Sequence, residues 1–156
     1  SIFAIGYFQA DGSTNVIPDQ VKLMGTFRAL SEEYRKQSHI DMKSIVSDVE
    51  KKYNVRIELD IRHGYPALYN DEEFTKKQIS SAKEYLGKEN VIDLPIRMTA
   101  EDFSYFANAV PSCFYRLGTG NKKKGIVHGL HTSRFDIDEK SLKIGMGMLA
   151  YLAISS

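Results

Sequence analysis

The chain has 156 residues, enough for one compact domain or two small ones, and its 42% apolar and 26% charged fractions exclude a disordered chain. A net charge of +1 offers no broad basic field, which argues against a nucleic-acid partner. A single cysteine, Cys113, excludes an internal disulfide and a thiolate metal cluster; no apolar run reaches the roughly 18 residues of a membrane span and no signal peptide is read, so the expected setting is a reducing cytoplasm.

IFAIGYF, residues 2 to 8, reads as a strand. It begins directly at the amino end with no initiator Met, as expected of a processed or truncated chain. After a loop pivoting on Gly12, VKLMGTFR alternates, with Val21, Leu23, Gly25 and Phe27 on one face and Lys22, Met24, Thr26 and Arg28 on the other. Ser31 is placed to cap a helix from Glu32 to about Lys52, with acids in its first turn and Met42, Ile45 and Val49 along one stripe. VRIELDIR, 55 to 62, alternates again and predicts a strand with Val55, Ile57, Leu59 and Ile61 inward. That order fits an antiparallel sheet under a helix, or half of a split βαβ unit.

HGYPALYND breaks the pattern at Gly64 and Pro66 and marks the best domain boundary. Asp71 to Leu86 reads as a helix stopped by Gly87, and NVIDLP as a short strand. Thr99 to Asp102 resembles a cap ahead of a helix through Phe103 and Phe106. CFYRLG, 113 to 118, predicts a strand in which Cys113 is a buried, inert thiol. Lys122 to Lys124 reads as a solvated loop. Asp138 to Ile154 is the terminal helix, where Gly145 and Gly147 either admit a close neighbour or weaken the helix. Neither half reads as self-sufficient.

Candidates for chemistry are few. A zinc or manganese site needs three or four ligands from His, carboxylate and Cys. His39 reads as a solvated helix residue and His63 as a turn residue with access to a site rim. His128 and His131 sit in a glycine-flanked loop between a strand and a helix, where α/β proteins place ligands. HxxH without the glutamate of HExxH is no zincin signature, and LGTG at 117 to 120 is too little for a nucleotide. Glu101 and Asp102 either serve the helix dipole or point into a crevice.

STNVIPDQVKLMGTFR, YPALYND, RMTAEDFSYF, FYRLGTGN and LHTSRFDIDEKSLKIGMGML, in that order, resemble the C-terminal part of the M20 metallopeptidase family. The branch they are most similar to holds the hippurate hydrolases and N-acyl-amino-acid amidohydrolases. The resemblance covers nearly the whole chain. It implies an α/β fold of two domains, a catalytic α/β domain with an inserted, smaller α+β lid and dimerisation domain. On that pattern residues 1 to 68 belong to the insert, and 69 to 156 to the C-terminal part of the metal-dependent catalytic domain.

The resemblance implies hydrolysis of the amide bond of a small N-acyl amino acid at two divalent metal ions, zinc or manganese, with cobalt and nickel also compatible. It also implies a homodimer formed through the insert, with neither nucleic acid nor membrane as partner. His131 corresponds to a metal-ligating histidine of the family; His128 has no such role. Glu101 and Asp102 match an acidic pair near the site. Asn15 resembles an insert residue that approaches substrate, often in the partner subunit's site. Arg28 corresponds to a position near the substrate carboxylate or one bracing the insert, and Gly118 to a loop lining the pocket. The family's early HxCGHD-like segment and its glutamate pair are absent, so this chain resembles part of an enzyme and is expected to be inactive by itself. The alternatives are a non-catalytic dimerisation or binding module derived from the same fold, and a complete small α/β domain with structural histidines.

Overall fold

The computed structural model describes residues 1–155, which cluster into two compact units. One comprises Ser1–Leu68 and Ile96–Tyr105; the other comprises Tyr69–Pro95 and the chain from Phe106 onward. No helix among the described residues is long and apolar enough to cross a membrane.

In the first unit, β1 (Ile2–Ala10) and β2 (Val21–Arg28) form an antiparallel pair. The register runs Phe3↔Phe27 and Ile5↔Gly25, then slips at Gly6 to Tyr7↔Met24 and Phe8↔Leu23. Cross-strand partners share a face. The bulge therefore gathers Phe3, Ile5 and Phe8 with Val21, Leu23 and Phe27, and sends Tyr7 and Gln9 to the side of Met24 and Lys22. Gly25 is required where it stands, since a Cβ there would collide with the Ala4 carbonyl. Most of the apolar face is open, with Phe3 65% and Phe8 68% exposed.

The α1 helix (Glu32–Tyr53) starts as its sequence predicts: the Ser31 hydroxyl accepts from the Tyr34 N–H, and Glu32 and Glu33 occupy the first turn. It ends at Asn54, whose left-handed φ of 52° lets its N–H reach the Glu50 carbonyl. Its expected stripe is only partly covered, since Met42 and Val49 are half-buried while Ile45 is exposed. Residues 55 to 62 correct the strand prediction. They form no strand, the Ile57 N–H bonds the Glu50 carboxylate at 2.7 Å, and only Ile57 and Ile61 of the four inward residues are half-buried. Alternation selects faces, but a strand also needs a ladder partner, and none is present among the described residues.

The second unit is built on α2 (Glu72–Leu86) and α4 (Lys140–Ile154). Asp71 caps α2 through the Phe74 N–H at 2.8 Å, and Gly87, at φ 88°, stops it. Ala82, Met148 and Leu152 are its buried apolar core, flanked by Leu86 and Val91. The glycines of α4 do admit neighbours: a Cβ at Gly147 would strike the Tyr85 hydroxyl, and one at Gly145 would press on Leu117. The Tyr85 ring also stacks on Tyr151 with centroids 5.2 Å apart.

The strands expected at NVIDLP and CFYRLG are also absent, for the same want of a ladder. In place of one, the Asn70 side chain imitates a strand partner, donating to the Phe114 carbonyl at 3.0 Å and accepting its N–H at 2.8 Å. Cys113 is half-buried rather than buried. The helix expected after Thr99 shrinks to α3 (Ser104–Ala107). The Ala109 and Val110 N–H groups both close on the Phe106 carbonyl, and Pro111 then has no N–H with which to continue.

Candidate functional site

In the first unit, Asn15 occupies the tip of the connection between β1 and β2. Ser13 and Val16 exchange backbone bonds of 3.1 and 3.2 Å around it, and the Ser13 hydroxyl donates to its side-chain oxygen at 3.0 Å. Arg28 ends β2, and its guanidinium donates to the Met98 carbonyl at 3.0 Å. That bond ties β2 to the segment carrying the acidic pair. Glu101 is half-buried and accepts from the Phe103 N–H at 3.3 Å. Asp102 is exposed, and its carbonyl accepts from the Tyr105 N–H at 3.0 Å.

His39 is not the solvated residue its sequence suggested. It is half-buried, with its ring centroid 5.0 Å from that of His63 and 6.4 Å from that of Phe27. Burial first, then the nearby His63, Arg35 and Lys43 charges, hold its imidazole below the usual histidine range.

In the second unit, Gly118 is exposed, with open space where a Cβ would stand. His131 is exposed and left-handed, at φ 62°, a conformation uncommon outside glycine. Around it the Thr132 hydroxyl donates to the Gly129 carbonyl and the Phe135 N–H to the Thr132 carbonyl. His128 is half-buried.

The loop holding both histidines is closed at its base. The Asp138 N–H donates to the Thr119 carbonyl at 2.8 Å, and Asn121 and Ile126 exchange two backbone bonds of 2.9 Å. The Asp138 carboxylate, 11% exposed, accepts from Lys124 Nζ at 2.8 Å and from Asn121 Nδ2 at 2.5 Å, and also from the Lys140 N–H at the start of α4. These donors, Lys124 first and Asn121 second, bring its pKa down to about 2. Lys122, Lys123 and Lys124 are all exposed, as expected of a solvated segment, and Lys124 is in addition engaged by Asp138. The sequence signals were an Asn opening a lysine run and an Asp two residues before a helix, too common to single out.

The donor set does not by itself make a metal centre. Among the described residues, no three His, Cys, Asp or Glu side chains come together to hold an ion. A lone imidazole leaves a tetrahedral site unfilled.

The model of the family described as peptidase family M20/M25/M40 matches residues 3–155. YhaA of Bacillus subtilis, whose name assigns it provisionally to the amidohydrolases, is 32% identical over 99% of this chain and 39% of its own length. Thermostable carboxypeptidase 1 of Saccharolobus solfataricus is 34% identical over 98% of this chain and 38% of its own. The crystal structure of the Bacillus subtilis YXEP protein, described as a dinuclear metal binding peptidase, matches with a TM-score of 0.73 and 25% identity over 98% of this chain and 41% of that one. The chain therefore spans about two fifths of the length of the curated relatives it matches.

Proposed function

The chain belongs to peptidase family M20/M25/M40, and on that premise we propose that it forms part of a metal-dependent hydrolase cleaving the amide bond of N-acyl amino acids or related small amides. The observation that carries this reading is that 98% of this chain matches two fifths of a dinuclear metal binding peptidase of the same family. Two divalent ions are the proposed cofactor, zinc or manganese, with His131 contributing one imidazole. The remaining ligands are proposed to come from parts of the fold that this chain does not span. Ions of that kind supply a water acidic enough to attack near neutral pH.

This chain's residues have narrower tasks in the proposal. Residues 1 to 68 act as the lid and dimerisation part and 69 to 156 as the C-terminal part of the catalytic domain. Arg28 braces the segment that carries Glu101 and Asp102, which line the substrate's surroundings, while Asn15 reaches toward substrate and Gly118 leaves the pocket wall open. Homodimer formation through the lid part belongs to the same proposal. The proposed setting is the cytoplasm.

The full-length gene product, assayed on hippurate and acetyl-amino acids with zinc or manganese added, is expected to hydrolyse them and to lose that activity on chelation or on His131→Ala. Absence of any metal-dependent amide hydrolysis overturns the reading. The isolated 156-residue chain is expected to be inactive under the same conditions.

A further inference from the structure

We infer that Asp138 is a positioning residue for His131, a role that rests on the hydrolase reading above. Among the described residues no side-chain hydrogen bond holds the His131 imidazole, which is exposed at the far part of its loop. Its location is therefore set by the backbone, and the backbone from 119 to 138 is fixed at its base. Asp138 joins four of the restraints of that base. Its N–H holds the Thr119 carbonyl, one carboxylate oxygen holds Asn121, and the other holds Lys124 and the first amide of α4.

Asn121 extends the grip, since its side-chain oxygen accepts from the Lys123 and Lys124 N–H groups and its backbone pairs with Ile126. Removing the carboxylate leaves the Asn121 amide and Lys124 without their common acceptor. It also removes the side-chain link from Asn121 and Lys124 to the first amide of α4, leaving only the backbone bond to Thr119. A reacting constellation tolerates displacements of only about 0.5 Å, so a loosened base misplaces His131 without touching it. A helix cap alone would bond the α4 amides and leave Asn121 and Lys124 aside. Asp138 engages both.

The test uses the full-length gene product with Asp138→Ala and Asp138→Asn, against Met148→Ala as a purely core-destabilising control and His131→Ala as the site control. Asp138→Ala is expected to lower kcat on hippurate by about 10–100-fold, the range seen for residues that orient a site ligand, with KM changed less than about twofold. Amide exchange across 125 to 137 rises while α4 stays protected. Asp138→Asn, whose remaining oxygen still accepts from Lys124, recovers much of kcat.

Two results overturn the inference: a kcat loss no larger than that of Met148→Ala, or unchanged exchange across the loop. If Asp138→Ala fails to fold, Asp138→Asn alone carries the test, and loop exchange equal to wild type overturns the role. His131→Ala inactive with Asp138→Ala fully active sinks only the positioning role. His131→Ala fully active sinks the hydrolase reading of the loop as well.

Discussion

The Arg28 guanidinium reaches the carbonyl of Met98, 70 residues further along the chain, and makes a 3.0 Å hydrogen bond to it. A charged donor on a carbonyl at a half-buried position contributes about 1.5–3 kcal/mol. Arg28→Ala is expected to lower stability by about that much and to raise amide exchange selectively in 96–105, read by mass spectrometry. Unchanged exchange there would show that other contacts hold the segment.

Acid should loosen the loop at 119 to 138 in a defined window. The Asp138 carboxyl lies at about 2 in the fold against a usual 3.8, so the folded state favours the ionised form. Its contribution is complete above about pH 4 and is lost as pH falls through about 2. In Asp138→Asn that part of the acid sensitivity disappears. The measurement is loop exchange or thermal stability between pH 5 and pH 2, compared with wild type.

His39 in the first unit responds in a higher region of the pH scale. His39 lies below the usual 6.5 because burial and its neighbours disfavour the cation. Its contribution to stability is present above about 6.5 and declines as pH falls through the lowered folded value. His63→Ala should move the His39 titration upward, toward 6.5, in an NMR experiment. A midpoint that ignores His63 would show that burial alone sets it.

Gly147 stands against the Tyr85 hydroxyl. Alanine in a helix interior normally stabilises by about 1 kcal/mol over glycine. Here its methyl would meet the hydroxyl of Tyr85, whose ring is held against Tyr151, and overpacking costs about 1–3 kcal/mol. Gly147→Ala should therefore lower Tm in wild type and raise stability in a Tyr85→Ala background. Equal effects in both backgrounds would rule out the contact as the cause.

Local chemistry was legible in the sequence where it is self-contained. Ser31, Asp71 and Gly87 each mark a helix end through bonds within a few residues, and α1 and α2 follow their patterns. The segments at 55–62 and 113–118 carry strand-like alternation, but pairing depends on a neighbour that alternation cannot name. The Asp138 grip joins residues 14 and 17 apart through side chains whose types are ordinary in loops. The pairing of His39 with His63 needed the fold of the first unit, because one stands on a helix and the other in the connection after it. For the site residues, motif order suggested roles, carried above as proposals, that spacing could not.

The slip in register at Gly6 has a consequence for how β1 can change length. Ile5 faces Gly25 and Tyr7 faces Met24, which are consecutive on β2, so Gly6 is the surplus residue of the pair. Excising it leaves each remaining residue opposite its present partner and restores unbroken alternation. Lengthening β1 by one residue at any regularly paired position would instead invert the parity of everything on one side of it. The bulge at Gly6 is thus a place where the strand can shed a residue without any remaining side chain changing sides.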